Sequence, residues 1–158
     1  MTHEKEERSL IIIKPDALQR SLVGEIITRF ERKGLKIIGL KMIHLSDALV
    51  EEHYEHIKDK DFFPRIRRFM TSTPVIVMAV SGLSVIDAIR VIVGPTKGFE
   101  AAGGTIRGDY SLSMQSNIVH ASDSKEAAEA EIARFFKPEE IMQYEKISTI
   151  FVHSDELM

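Results

Sequence analysis

The run Leu10-Ile11-Ile12-Ile13, followed by Lys14 and Pro15, constrains this chain more than any other feature. Strand side chains alternate between two faces, so four consecutive large apolar residues are apolar on both, and Ser9 to Lys14 reads as a central strand. Pro15 stops it, because proline cannot donate to a ladder. A chain of 158 residues buries roughly two thirds of its unfolded surface, so residues 1–158 read as one domain, with the polar residues 1 to 7 frayed.

Around that strand the pattern alternates. Leu22, Val23, Ile26, Ile27 and Phe30 fall at helical spacing over Leu22 to Phe30, and Gly34 supplies a terminator. Lys36 to Leu45 is a second strand-like stretch. Ser46 is placed to cap a helix of about ten residues, with Leu45 and Val50 set for a hydrophobic staple. Asp59 to Phe63 is turn-like and aromatic, Pro64 opens a short helix through Met70, and Pro74 to Val80 reads as a buried strand.

The segment SGLSVIDAIRVIVG suits either a strand or a helix by periodicity, and the pair Ser84 and Asp87 reads as a capping box that decides for helix. Gly94 to Ser116 is then a long glycine-rich excursion ending in TIRGD, of a length that is unusual unless it serves a function or covers something. Asn117 to Ala121 is a short strand and Ser124 to Phe136 a helix with Ala128, Ile132 and Phe135 on one face. Pro138 to Met142 makes a further helical turn, and residues 147–152 pair along an edge. Strands separated by helices fit a doubly wound parallel sheet and a βαββαβ antiparallel sheet equally well.

Composition narrows the chemistry. Without cysteine there is no disulfide framework, thiolate nucleophile or thiolate metal site, and a formal charge of -3 provides no overall positive field for nucleic acid or anionic membrane. The start lacks the pattern of a signal peptide and no 18-residue apolar run exists, so the expectation is a soluble, cytoplasmic protein. GxxxxGK[ST], GxGxxG after a strand, HExxH and GxSxG are all absent, so a phosphate site must be built from side chains.

Lys14, Arg90, Thr96 and Arg107 are the candidates, because Lys and Arg give charge-assisted hydrogen bonds to phosphate oxygens. Each alone is also simply a surface residue. His120 is the most unusual residue, set in the middle of the apolar strand NIVHAS. Imidazole is a competent nucleophile when a second group orients it, and Glu131 on the following helix is placed to do so if that helix packs over the strand. Asn117 and Ser122 flank the histidine. Tyr54 and Phe62 lie in segments suited to a pocket rim, and Phe62 with Ile66 would clamp a planar ring, although core packing is the plainer role for both. Asp16, Asp109 and Asp123 are candidate neighbours of a magnesium ion, although they lack metal-ligand spacing. His53 and His56, three apart on a helix, are the nearest approach to a zinc pair among the remaining histidines.

LIIIKPD, VGEII, HYEHIKDKDFFP, GTIRGD, NIVHASDS and the segment ending at Glu140, taken together in this spacing, resemble the nucleoside diphosphate kinase family over nearly the whole chain. The resemblance implies reversible transfer of a γ-phosphoryl group from a nucleoside triphosphate to a nucleoside diphosphate through a phosphohistidine, with broad base tolerance. It implies His120 as nucleophile and Glu131 as its orienting carboxylate, with Ser122 supporting the site. Lys14, Tyr54, Arg90, Thr96, Arg107 and Asn117 match phosphate or ribose contacts, and Phe62 with Ile66 matches the base clamp.

The same resemblance implies a ferredoxin-like α/β sandwich with a four-stranded antiparallel sheet, helices covering it and a long glycine-rich loop. Mg2+ would be bound mainly through the nucleotide phosphates. The assembly would be a homo-oligomer, a hexamer or a tetramer, with no membrane and no requirement for nucleic acid. Gly103, Ser116 and Ala121 depart from the family's usual proline, arginine and glycine. The alternative is a noncatalytic nucleotide-binding or regulatory oligomer, with weak nucleic-acid binding through Arg65, Arg67 and Arg68.

Overall fold

The computed structural model describes residues 6–153. Leu10 to Ile13 lie in strand β1 (Glu6–Ile13), whose odd positions Ile11 and Ile13 enter one core while Leu10 and Ile12 enter another. All four are fully buried, each worth roughly 1.5–3 kcal/mol of transfer free energy. Such a strand must be central and covered on both faces. The antiparallel sheet has the order β2-β3-β1-β4, with β2 at Lys36–Ile43, β3 at Val75–Leu83 and β4 at Val119–Ala121.

This is the ferredoxin-like arrangement, and it excludes the parallel alternative. One face is covered by α2 (Val23–Arg32) and α5 (Val85–Val93), through Ile26, Phe30, Ile86 and Ile89. The other face carries α3 (Asp47–His53), α4 (Phe63–Met70) and α7 (Lys125–Phe135), through Val50, Met70, Ile132 and Phe135. Pro15 does more than end β1: it is the first residue of the short helix α1 (Pro15–Gln19), where its missing N–H costs nothing.

Several expectations need correction. Glu6 and Glu7 are not frayed, since they pair with Leu83 and Gly82 at the end of β1, while residues 1–5 lie outside the described span. Ser81 to Leu83 belong to β3 rather than to the following helix. That helix exists, but its capping box does not. Ser84 sits at φ +49 with no capping bond from its side chain, and Glu7 Oε2 instead accepts from Ile86 N at 3.4 Å. Ser46 caps as expected, although α3 is seven residues long and passes into a 3-10 turn at Glu55–Ile57.

The excursion 94–116 is not irregular throughout: TIRGD starts α6 (Ile106–Tyr110), with Thr105 Oγ1 accepting from Gly108 N at 2.9 Å. The close approach of Ala102 O, 1.9 Å from where a Cβ on Gly108 would lie, requires glycine there. Residues 147–152 do not form an edge strand; α8 (Thr149–His153) occupies most of them. The edge of β2 is met slightly earlier by the chain, where Met142 N, Tyr144 Oη and Lys146 Nζ donate to the carbonyls of Ile38, Ile37 and Leu35.

Candidate active site

The site forms where β1 and β4 end side by side and α7 crosses them. His120 pairs with Ile12 across the ladder and is half-buried. Ser124 Oγ accepts from Ala127 N at 3.1 Å and starts α7 just beyond the strand, so Glu131 is carried back over it two turns later. Glu131 Oε2 stands 3.1 Å from His120 Nε2. Ser122 Oγ donates to the same oxygen at 2.6 Å and accepts from Leu10 N at 3.1 Å, so the carboxylate is pinned through the central strand. Burial pushes the Glu131 carboxyl up, but the hydrogen bonds from His120 and the Ser122 hydroxyl outweigh it, holding the group below the usual carboxylate range.

The imidazole thus has one nitrogen committed and Nδ1 left over. His53, buried on the same face of α3 as Val50, packs edge-to-face on His120, with ring centroids 4.6 Å apart at 83°. Its environment lowers the pKa to about 3, chiefly through burial and then through His120, so His53 is neutral. Arg134 Nη1 lies 3.3 Å from His53 Nδ1 and Arg134 Nε 3.1 Å from Glu52 Oε1. The sequence singles out His53 only as half of a pair with His56, which is exposed. The signal that separates them is spacing: His53 is three residues after Val50 on one helical face.

Lys14 ends β1 beside this group. Its ammonium donates to Asn117 Oδ1 at 2.6 Å, and burial, with a further push from Arg107 against the pull of Asp16, brings its pKa down to about 8. Asn117 in turn donates to Thr96 O and Met114 O, both at 2.9 Å, so one amide fastens two points of the long excursion to the strand end. Arg107 is buried and gives three N–H groups to carbonyls, those of Asn117, Gly94 and Val119 at 3.2, 3.0 and 2.7 Å. Guanidinium has five such groups, so two are uncommitted. Burial, and after it Arg90, lowers its pKa to about 10.

Between Asn117 and Val119 the chain turns through Ile118 at φ +76, closed by Val119 N on Asn117 O at 2.8 Å. A β-branched residue is strained in that region. Asp16 explains how it is held, because its Oδ2 accepts from Ile118 N at 3.0 Å. The sequence offers Asp16 as a candidate neighbour of a magnesium ion, and the structure gives it this backbone role. Asp109 is likewise engaged by Arg29 at 2.7 Å and by Gly104 N at 2.8 Å.

The remaining residues are spread around this centre. Tyr54, at the end of α3, meets the His53 ring at 4.8 Å, and burial with the Glu131 charge pushes its hydroxyl above the usual range. Arg90 is exposed on α5, where it lines a cavity of about 360 Å3 with Gly94 and Thr105. Thr96 is exposed, its carbonyl held by Asn117. Phe62 is exposed at the start of α4 and Ile66 half-buried one turn later; Gln115 Nε2 donates to Arg65 O at 3.3 Å and ties this helix to residues 113–117. Among the described residues, one group is close enough to share a metal ion: His53, His120 and Glu131, with ligand atoms within 4.8 Å of one another. No described helix is long and apolar enough to cross a membrane.

Comparison with known proteins converges on one family. The family model described as nucleoside diphosphate kinase matches residues 7–141. A nucleoside diphosphate kinase of Parabacteroides distasonis is 51% identical over 150 residues, covering 95% of this chain and 98% of the relative. One from Pyrococcus furiosus is 52% identical over 148 residues, 92% of each. Among solved structures, a halophilic nucleoside diphosphate kinase from Halobacterium salinarum in complex with CDP superposes with a TM-score of 0.91 at 40% identity, covering 93% of this chain and 98% of that one.

Proposed function

Because the chain belongs to the nucleoside diphosphate kinase family, we propose that it passes the phosphoryl group through Nδ1 of His120. The activity itself is that of a phosphotransferase acting between nucleoside triphosphates and diphosphates in a ping-pong cycle on a histidine. The observation that carries the choice of atom is the 3.1 Å contact between His120 Nε2 and Glu131 Oε2. It keeps the imidazole proton on Nε2 and leaves the Nδ1 lone pair free.

In the forward half, that lone pair forms a bond to the γ-phosphorus, and the bond from phosphorus to the β-phosphate oxygen breaks with its electrons leaving on the diphosphate. The ring becomes cationic, and Glu131, already ionised and fixed by Ser122, is in place to offset that charge without rearrangement. The acceptor diphosphate then attacks the phosphohistidine by the reverse path. Lys14, Arg90 and Arg107 neutralise phosphoryl oxygens, with Tyr54, Thr96 and Asn117 completing the phosphate and ribose contacts. Phe62 and Ile66 hold the base by apolar contact, which accounts for broad base tolerance.

Mg2+ demands oxygen ligands in octahedral array. The one described group able to share a metal offers two imidazoles and a carboxylate, which does not fit, so Mg2+ enters on the nucleotide phosphates as part of the substrate. We further read residues 1–158 as one domain, a cytoplasmic protein assembled as a homo-oligomer, with a hexamer preferred to a tetramer.

The test is incubation with ATP and Mg2+ without acceptor, followed by intact mass under nonacidic conditions. A gain of about 80 Da mapped to His120, discharged by GDP with formation of GTP, is expected for a covalent intermediate. His120→Ala should lose it, and Glu131→Gln should slow its formation while folding is preserved. Folded, nucleotide-binding protein that forms neither adduct nor GTP overturns the assignment in favour of a noncatalytic binding protein.

A further inference from the structure

The donor set that rejects Mg2+ suits a different ion. Imidazole nitrogens and carboxylate oxygens are ligands for Zn2+, with bonds of about 2.0–2.2 Å, and two such bonds span the 3.1 Å between His120 Nε2 and Glu131 Oε2 with the ion in place of the shared proton. His53 supplies the third ligand. It is buried against His120, edge-on to it, and has no part in the transfer described above. All three ligand atoms already lie within 4.8 Å of one another, so closing on an ion asks for side-chain adjustments of about an ångström.

We propose that His53, His120 and Glu131 form an inhibitory Zn2+ site that switches phosphoryl transfer off. The inference rests on the reading of His120 as the nucleophile. The switch follows from the two nitrogens of one ring. An ion on Nε2 takes the lone pair at that atom, and the imidazole proton relocates through solvent to Nδ1. A protonated Nδ1 has no lone pair for phosphorus, and the Glu131 charge is spent on the metal. Zn2+ therefore blocks the enzyme before nucleotide binds, by a route independent of the Mg2+ carried on the substrate.

Arg134 opposes this occupation. Its guanidinium is held to Glu52 and lies 3.3 Å from His53 Nδ1, so ligation by Nε2 of His53 costs that long contact and brings a dication near a cation. Removing the Arg134 charge should therefore tighten the site, an effect opposite to that of removing a ligand.

The full chain, stripped of metal, is titrated with ZnCl2 by calorimetry in the absence of nucleotide. One Zn2+ per chain is expected, weakened about tenfold or more in His53→Phe and in Glu131→Gln and strengthened in Arg134→Gln. His53→Phe retains an aromatic ring in the packed position, and circular dichroism checks its fold. In parallel, single-turnover phosphorylation of His120 by Mg2+-ATP is followed at free Zn2+ set by a metal buffer, each variant normalised to its own zinc-free rate. The wild-type rate should fall with the occupancy measured by calorimetry, and His53→Phe should escape. Equal zinc binding in wild type and His53→Phe, or full phosphorylation with the site occupied, overturns the proposal. Absence of a His120 adduct in the zinc-free wild type overturns the assigned nucleophile, and with it the inhibitory role, while the calorimetric titration separately decides whether the three side chains bind zinc.

Discussion

At the scale of single residues, the site couples ordinary side chains to unusual surroundings. Lys14 titrates near 8 in the free protein. Phosphate binding favours its charged form, so nucleoside diphosphate affinity should be highest below that pH and decline as pH rises through it, with Lys14→Gln flattening this dependence in a calorimetric pH series. His53 has its pKa depressed to about 3 from 6.5, so between those values the unfolded chain binds a proton that the folded chain does not. Stability from this group is complete above about 6.5 and declines as pH falls toward about 3. Denaturant unfolding should show a loss of about 1–3 kcal/mol between pH 6.5 and 4.5 that His53→Phe reduces. His120 and Lys14 were legible as candidates from their positions in the sequence. The roles of Asp16 and His53 were not, because what matters in each is a partner about a hundred or sixty-seven positions away, Ile118 N for one and the His120 ring for the other.

At the scale of elements, two serines that look alike in the sequence do different work. Ser124 has the extended backbone of a cap and bonds Ala127 N, which starts the helix that delivers Glu131. Ser84 is left-handed and its side chain bonds no backbone group of its helix. Ser124→Ala should cost about 1 kcal/mol, read by thermal unfolding, and slow His120 phosphorylation. Ser84→Gly should be neutral or stabilising by up to about 1 kcal/mol, since glycine has no steric cost at φ +49. Equal destabilisation by both would contradict the difference in backbone geometry. The periodicity of α5 suits strand and helix alike, and the capping box that decides for helix does not form; the N-terminal acceptor, Glu7, comes from the paired strand β1 and has no local signature. In α6 the determinants are local instead, the cap at Thr105 and the contact of Gly108 with Ala102 O, and the surrounding glycines mask them in the sequence.

At the scale of the whole molecule, the isolated chain leaves Val91, Phe99, Leu112 and Met114 largely exposed, three of them on the long excursion, and Leu40 and Met42 exposed on edge strand β2. Such apolar surface is expected to be covered in a closed homo-oligomer. Sedimentation should give a multiple of 17.9 kDa, and Leu112→Glu should shift it to smaller species; a 17.9 kDa particle at every concentration would refute the assembly. By itself the sequence determined the central strand, the amphipathic faces of α2 and α7, the cap at Ser46 and the set of residues from which a phosphate site must be drawn. Those are properties of local period and side-chain chemistry. Tertiary structure alone decided that the sheet is antiparallel and covered on both faces, that Glu131 reaches Nε2 and leaves Nδ1, and that His53 lies against the same ring. Each of these is a distance between residues remote in the chain, set by how the helices close over the sheet, and no local pattern encodes a distance of that kind.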